Sequence, residues 1–121
     1  MDQIAPDAKI VVKPFTAEGD DVLCAQCAAK ITRHSWAIQV DGRAEHYCIN
    51  PHGLEFRVLT FSDAPGATTT GPATTQASWF RGYAWRMAVC GVCDAHLGWR
   101  FEGGISPQAF YGLIRDALKE G

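Results

Sequence analysis

Alternation of apolar and polar positions along the middle of the chain predicts a series of short strands. Leu54, Phe56 and Val58 alternate with charged residues, which is typical of a strand that is buried on one face. Comparable patterns predict further strands at residues 36–40, 45–49, 79–90 and 96–102. Turn residues separate these segments, with a hairpin turn at 41–42 and a second turn at 50–53. The chain is therefore predicted to be mainly β.

Two segments depart from the strand pattern. Residues 62–78 are mostly small, polar or turn-forming, which predicts a long loop of a kind that is usually functional or mobile. Near the C terminus, Ser106 suits a helix N-cap and Pro107 suits the first helical position. Apolar residues then recur at helical spacing, at Phe110, Leu113, Ile114, Ala117 and Leu118. These signals predict one C-terminal helix.

The chain length of 121 residues is that of one domain. We expect a flexible N-terminal arm over residues 1–21, with a short edge strand at 9–13, followed by a single domain over residues 22–121. The first seven residues contain two acids and no signal-peptide pattern, so a cytoplasmic location is expected. No stretch approaches about 18 uninterrupted apolar residues, so no membrane partner is expected.

Composition and charge narrow the class of partner. Hydrophobic residues make up 47% of the chain and charged residues 20%, as in an ordinary globular protein. The formal net charge is −2, because 11 Lys and Arg residues are outnumbered by 13 Asp and Glu residues. Nucleic-acid binding domains carry a basic surface, so nucleic acid is not an expected partner.

Two C-x2-C pairs form the strongest local motif. One pair is Cys24 and Cys27, and the other is Cys90 and Cys93. Each spacing lets one tight turn offer two sulfurs to the same ion, and two such turns complete the tetrahedral site that zinc prefers. The sequence therefore predicts one structural Zn²⁺ that joins the start of the fold to its end, without an open position for catalysis. Free or disulfide-bonded thiols are the alternative.

The remaining cysteine and the histidines carry weaker signals. Cys48 is interpreted as a small buried residue in a strand, with a catalytic thiol as the alternative. The histidines have no ligand-like spacing to the cysteine pairs and are interpreted as surface, turn or packing residues; they are His34, His46, His52 and His96.

Tryptophans form the second concentration of unusual residues. Trp99 and Phe101 are two positions apart, so they share one strand face. Trp79 and Trp85 share a face if the strand is regular, and Gly82 between them allows a bend. This spacing fits either a hydrophobic core or a ligand cage. Trp36 and Tyr83 are interpreted as packing residues.

The order of four motifs gives a specific resemblance. They are Asn50-Pro51-His52-Gly53, Ser78-Trp79-Phe80-x-Gly82-Tyr83-Ala84-Trp85, Cys90-x-x-Cys93-x-x-His96-x-Gly98-Trp99-x-Phe101 and Ser106-Pro107-Gln108-x-Phe110-x-Gly112-Leu113. Over roughly residues 22–118 the chain resembles the CULT domain, the thalidomide-binding domain of the cereblon family. In length it resembles the single-domain bacterial members.

This resemblance implies a fold, a metal site and a ligand class. The implied fold is a β-tent of two roughly orthogonal antiparallel sheets, anchored by zinc on the four paired cysteines. The implied pocket has Trp79, Trp85 and Trp99 as walls and Phe101 behind them. The implied ligands are cyclic imides: glutarimide and succinimide rings, thalidomide-type drugs, uracil-like rings such as uridine, and cyclised C-terminal Asn or Gln of proteins.

The resemblance also implies how an imide edge is recognised. The backbone of residues 77–79, which comprise Ala77, Ser78 and Trp79, would accept the imide N–H and donate to an imide oxygen, with Asn50 near the rim. Animal members carry Glu-His where this chain has Gln76-Ala77, so affinity could differ. The region through which full-length cereblon joins a ubiquitin ligase is not expected here, and a binding domain is favoured over an enzyme.

Two alternatives remain. Methionine sulfoxide reductases of the B type share a similar cysteine motif, and their catalytic segment resembles the sequence around Cys48. In those enzymes that segment follows the second cysteine pair, whereas here it precedes it. An aromatic cage could also read methylated lysine through cation–π attraction.

Overall fold

The computed structural model describes residues 17–121. The predicted edge strand at 9–13, and most of the predicted arm over residues 1–21, lie outside the described residues. Within them, a four-residue helical turn, α1 (Ala17–Asp20), precedes nine strands. The strands are β1 (Asp21–Cys24), β2 (Lys30–Arg33), β3 (Glu45–Ile49), β4 (Glu55–Phe61), β5 (Ala67–Thr74), β6 (Ala84–Cys90), β7 (His96–Glu102), β8 (Ala109–Ile114) and β9 (Leu118–Glu120). The prediction of a mainly β chain is confirmed.

The strands form two antiparallel sheets. The small sheet has the order β9-β1-β2, and the large sheet has the order β3-β4-β8-β7-β6-β5. In the large sheet, Trp99 on β7 lies opposite Met87 on β6 and Gly112 on β8. This register places Trp99 in an interior strand, flanked by paired strands on both sides.

Two buried clusters lie on opposite faces of the large sheet. The cysteine-side core contains Cys24, Ile31, Phe61, Ala64, Cys90, Leu97 and Leu113. The aromatic core contains Val40, Cys48, Val58, Phe80, Trp99, Phe101 and Phe110. Adjacent strand residues contribute to different clusters, since side chains alternate between the faces of a strand.

The predicted C-terminal helix is wrong. Residues 109–114 form β8, which pairs with β7 and β4, and residues 115–117 form a single 3-10 turn before β9. Phe110 packs in the aromatic core and Leu113 in the cysteine-side core, because the strand is buried on both faces. Apolar residues three apart therefore face opposite directions, although the same spacing would place them together on a helix. Ser106 and Pro107, which are joined by a cis peptide bond, precede this strand instead of capping a helix.

The predicted loop at 62–78 is also wrong over half its length. Residues 67–74 form β5, an edge strand that pairs with β6 from Ala67 opposite Cys90 to Thr74 opposite Trp85. The threonines there are β-branched and suit extended backbone. A register shift lies between Thr70 and Thr74, so the turn-forming residues within this stretch interrupt the ladder locally and do not abolish it.

Other predicted strands agree with the structure to different degrees. Those at 45–49 and 96–102 are confirmed as β3 and β7, and the alternating segment at 54–58 falls mostly within β4. The strand predicted at 79–90 begins only at Ala84, because residues 79–83 form a turn. The strand predicted at 36–40 is wrong, since only isolated bridges occur there, although the hairpin turn at 41–42 is confirmed by the bridge between Val40 and Arg43.

Membrane insertion through a helix finds no support in the described part of the chain. None of its helical segments has the length and hydropathy that crossing a membrane requires.

Candidate metal centre and ligand cleft

The two cysteine pairs meet at the ends of β1 and β6. In each pair the first cysteine ends a strand and the second lies in the turn that follows. The two turns repeat one backbone arrangement: the N–H of Ala28 donates to the carbonyl of Cys24, and the N–H of Asp94 donates to the carbonyl of Cys90. Ala28 and Asp94 both have positive φ, of 66° and 63°. Each turn therefore presents its two sulfurs in the same way.

The sulfur atoms form a compact cluster. The Sγ atoms of Cys24 and Cys93 are 3.7 Å apart, those of Cys27 and Cys90 are 3.6 Å apart, and all four lie within 4.8 Å of one another. Tetrahedral zinc with sulfur at about 2.3 Å requires sulfurs roughly 3.8 Å apart. The cluster therefore fits one tetrahedrally coordinated metal ion.

The thiols of the cluster differ in acidity. Burial by itself raises the pKa of Cys90, but hydrogen bonds from the backbone N–H groups of Cys93 and Val92, together with those from the Cys27 and Cys93 thiols, outweigh it and lower that pKa to about 7. At Cys93, the N–H of Ala95 lowers the pKa, but burial and the neighbouring thiols raise it to about 12. Four adjacent thiolates repel one another, and a divalent cation removes that cost. The sulfurs are therefore arranged for a cation.

A cleft of about 600 Å³ opens on the face of the large sheet that carries the aromatic core. All three predicted cage tryptophans line it. The residues around it are Asn50, Pro51, His52, Phe56, Thr74, Gln76, Ala77, Trp79, Trp85, Met87, His96, Trp99 and Phe101. None of these described residues is Asp, Glu, Lys or Arg, so the cleft wall is largely apolar and has no permanently charged side chain.

Trp99 is the buried wall of the cleft, with 9% of its surface exposed. Its ring contacts the ring of Trp79 at 4.7 Å between centroids and 81° between planes, and the ring of Phe56 at 5.4 Å and 78°. Such edge-to-face contacts are favourable for aromatic rings. The position of Trp99 is therefore fixed by its neighbours.

The other two tryptophans are held by their indole N–H groups. Trp79 donates to the carbonyl of Ile49 at 2.9 Å, and Trp85 donates to the carbonyl of Gln76 at 2.8 Å. The first bond connects the turn at 79–83 to β3. The second connects β6 to the segment that follows β5. A half-exposed tryptophan is thereby oriented without help from a ligand.

A bulge at Gly98 determines which face the nearby side chains occupy. Gly98 has φ of +151°, and a Cβ atom there would lie 2.2 Å from the carbonyl oxygen of Gly112. The register of β6 and β7 shifts beside it, between Ala88 and Val89. Because of this shift, His96 and Trp99 lie on the same face although they are three residues apart.

The segment that was expected to recognise the imide edge has unpaired backbone groups. Ala77 has a positive φ of 57°, and neither its carbonyl oxygen nor the N–H of Trp79 has a hydrogen-bond partner within residues 17–121. Ala77 and Trp79 line the cleft, but Ser78 does not. The Ser78 hydroxyl donates to the carbonyl of Phe80 and accepts from its N–H. Ser78 therefore stabilises the turn.

Asn50 and Phe101 both lie in the cleft wall. The Oδ1 atom of Asn50 accepts from the N–H groups of His52 and Leu54, each at 2.9 Å. This oxygen is thus occupied in shaping the turn between β3 and β4, and the amide nitrogen remains as the group that Asn50 can offer. Phe101 is only 1% exposed and stacks on Phe110, so it forms the floor.

Seven lining residues were not among the predicted site residues: Pro51, His52, Phe56, Thr74, Gln76, Met87 and His96. Met87 lies two positions after Trp85 on β6 and could have been found from strand alternation. Phe56 lies on β4, whose proximity to the tryptophans is not visible in the sequence. His96 was interpreted as a surface or packing residue, because the bulge that turns it into the cleft has no sequence signal stronger than a single glycine.

Cys48 does not line the cleft. The residue is 8% exposed and belongs to the aromatic core. Burial raises the pKa of its thiol above the usual value. A buried thiol with a raised pKa carries little thiolate at neutral pH, which is unfavourable for nucleophilic chemistry.

Comparison with known proteins gives one consistent family. No protein-family model matches the chain. Proteins named cereblon are similar to it: 39% identical over 101 residues in Gallus gallus and 38% over 101 residues in Danio rerio, in each case 78% of this chain. The Xenopus tropicalis protein is 43% identical over 74 residues, or 59% of this chain. The chain spans only about a fifth of the length of these relatives: 22% in Gallus gallus, 17% in Xenopus tropicalis and 23% in Danio rerio. By this similarity, the chain carries a cereblon CULT-like domain.

Proposed function

We propose that this domain binds cyclic imides in the tryptophan-lined cleft, with one structural zinc ion on the four-cysteine cluster. The ligand class comprises glutarimide and succinimide rings, uracil-like rings, and such rings formed from the C-terminal Asn or Gln of a protein. The domain acts in the cytoplasm as a binding module and not as an enzyme.

The observation that carries this proposal is a pair of backbone groups, at Ala77 and Trp79, that have no hydrogen-bond partner within residues 17–121. A cyclic imide edge has an N–H flanked by two carbonyl groups, and it therefore needs one acceptor and at least one donor. The carbonyl of Ala77 and the N–H of Trp79 supply these two groups at the cleft wall. Leaving either one unpaired in a dry complex would cost about 1–3 kcal/mol. A flat ring with this edge is therefore the complementary ligand.

The walls favour a neutral ring over a charged ligand. Tryptophan faces remove a flat, partly apolar ring from water and contact it over a large area. No acidic side chain among the lining residues would balance a bound cation. A methylated lysine would also leave the Ala77 carbonyl and the Trp79 N–H without partners. These features argue against a methyl-lysine reader.

The zinc ion would supply structure. Cys24, Cys27, Cys90 and Cys93 would hold it and complete its coordination, so no position remains for substrate or water. The four ligands join the end of β1 in the small sheet to the end of β6 in the large sheet.

Calorimetric titration with thalidomide and N-methylthalidomide tests the ligand assignment. A glutarimide has about eight non-hydrogen atoms, and small ligands do not exceed about 1.5 kcal/mol per atom. After the costs of ordering and desolvation, we expect micromolar affinity for thalidomide, near −8 kcal/mol. N-methylation removes the donor meant for Ala77 and adds bulk, so binding should weaken at least 30-fold.

Variants locate the binding site. Trp99→Ala removes the buried wall, and truncation of a central aromatic anchor commonly costs at least about 2 kcal/mol. Trp36→Ala is the matched control, since Trp36 does not line the cleft. Equal binding of thalidomide and its N-methyl derivative would contradict recognition by the imide edge. Unchanged affinity in Trp99→Ala would contradict the cleft as the site.

A further inference from the structure

His96 lines the cleft beside Trp99 and keeps one ring nitrogen without a partner among the described residues. Its ring lines the cleft and meets the Trp99 ring edge-to-face, at 5.0 Å between centroids and 88° between planes. Its Nε2 atom lies 3.0 Å from the carbonyl oxygen of Gly98. Because that oxygen can only accept, Nε2 carries the proton, and Nδ1 of the neutral ring is an acceptor. Nδ1 has no hydrogen-bond partner within the part of the chain that the structure describes.

Other polar side chains of the cleft are less suited to accept a hydrogen bond. Thr74 Oγ1 already accepts from the N–H of Gln76, and Asn50 Oδ1 accepts two backbone N–H groups. The side chains of His52 and Gln76 are exposed, so water competes for them. His96 is half-buried and lies next to the most buried wall of the cage. Among the side-chain acceptors of the cleft, Nδ1 of His96 is therefore the one whose hydrogen bond would add most to the free energy of ligand binding.

The cleft is also larger than an imide ring needs. Its volume of about 600 Å³ leaves room for a substituent beside a ring held at Ala77 and Trp79. The Trp99 ring contacts both the Trp79 ring and the His96 ring. A substituent that passes the face of Trp99 thus comes within reach of His96.

We infer that His96 selects imide rings that carry an exocyclic amide, by accepting a hydrogen bond from the amide N–H through Nδ1. A C-terminal residue that has cyclised within a protein carries such an N–H, in the peptide bond to the preceding residue, whereas a free ring does not. This inference rests on the proposed function and specifies the class of ligand: an acylated amino-imide at a chain end. His96 would thereby distinguish a modified protein terminus from free imides.

A matched set of three ligands tests the inference by calorimetry. The ligands are glutarimide, 3-acetamidoglutarimide and 3-acetoxyglutarimide, of which the last replaces the amide N–H by an ester oxygen at nearly constant shape. One neutral hydrogen bond corresponds to a ratio of about 3 to 10 in affinity. We expect wild-type protein to bind the amide about 3- to 10-fold more tightly than the ester.

Variants at His96 assign the preference to this residue. His96→Phe keeps a ring against Trp99 and removes both nitrogens, so the ratio of amide to ester affinity should fall to about one while glutarimide still binds. His96→Asn restores an acceptor near the position of Nδ1 and should recover part of the ratio. His52→Phe changes the other histidine of the cleft and should leave the ratio unchanged.

The possible outcomes separate this inference from the proposed function. Absence of binding by all three ligands contradicts the proposed function itself. Binding of all three, with equal affinity for amide and ester in wild type, overturns only the role of His96, and this holds even if His96→Phe fails to fold. A preference for the amide that persists in His96→Phe also overturns it.

Discussion

At the scale of single residues, the polar groups of the cleft fall into two classes: those already bonded within the protein and those left for a ligand. The indole N–H groups of Trp79 and Trp85 are bonded to carbonyl oxygens of the protein, so these side chains offer a ligand only their faces. The groups left for a ligand belong to the backbone at Ala77 and Trp79. A backbone group does not depend on the identity of its side chain. The proposed recognition of an imide edge would therefore tolerate alanine at position 77.

Cys48 should be dispensable for ligand binding. Its thiol is buried and has a raised pKa, and it does not line the cleft. Cys48→Ser should leave thalidomide affinity within about two-fold, at a cost in stability of roughly 1–3 kcal/mol for a buried hydroxyl. Calorimetry and chemical denaturation measure the two effects. Methionine sulfoxide reductase activity that disappears in this variant would reverse the interpretation and support the enzyme alternative.

At the scale of elements, the apolar pattern predicted some strands and failed at β8 and β5. The segments that became β3 and β4 alternate between more and less exposed residues, whereas β7 was found although Leu97 and Trp99 bury it on both faces. β8 packs Phe110 and Leu113 into different cores, so its apolar residues have no period of two and imitate a helix. β5 is an edge strand that owes its structure to pairing with β6, and its small polar residues gave no apolar pattern.

The site was more predictable than the elements that carry it. Cysteine spacing alone indicated a four-sulfur cluster, since each pair is a local turn. The tryptophan cluster was ambiguous from spacing, and the family resemblance selected the cage. His96 and Phe56 could not be placed from local sequence, because their positions depend on a bulge and on packing between distant strands.

The bulge at Gly98 should be sensitive to any added side chain. In Gly98→Ala the new Cβ would lie 2.2 Å from the carbonyl oxygen of Gly112, so β7 and β8 would have to move apart. We expect a loss of at least about 3 kcal/mol in the free energy of unfolding, because added bulk in a packed site costs about 1–3 kcal/mol before backbone strain is included. Urea denaturation measures this loss.

Gly103→Ala is the matched control for that substitution. Gly103 also has positive φ, of +86°, but nothing lies within 4 Å of a Cβ placed there. This variant should lose about 1–2 kcal/mol in the free energy of unfolding, which is the cost of placing alanine in the left-handed conformation. Equal losses in the two variants would mean that the close approach of β7 and β8 does not limit stability.

At the scale of the whole molecule, the four-cysteine cluster and the cleft share two strands. β6 carries Trp85 and ends at Cys90, and β7 begins just after Cys93 and carries Trp99. The small sheet closes on the same cluster, because Leu118 on β9 pairs with Cys24 on β1. Constraint at the four sulfurs therefore fixes the ends of the strands that present the cage, in addition to joining the two sheets.

Removal of metal should unfold the domain rather than only empty a site. Structural zinc sites supply about 10–16 kcal/mol in small zinc-finger peptides, which is comparable to the entire stability of an ordinary domain. We expect one zinc per chain by elemental analysis, and a large fall in Tm with a strong chelator or in Cys90→Ser. Cys48→Ser is the matched control, since it changes a buried cysteine outside the cluster and should retain the metal.

The pH dependence of this stability follows from the thiolates. Metal binding requires deprotonated sulfur, and the pKa of Cys90 is already lowered to about 7 without an ion and falls further when one is bound. A group whose pKa is lower in the folded state stabilises that state at high pH and loses this contribution as pH falls through its folded-state pKa. Because the ordinary thiol pKa is 9.0, Tm should be constant only above about pH 9, should decline as the pH falls below that value, and should drop in acid together with the bound zinc, as followed by calorimetry and a chromogenic chelator. Wild-type protein that stays folded with an unchanged Tm after complete removal of metal would contradict the structural role of the ion, whatever the affinity of the cleft for imides.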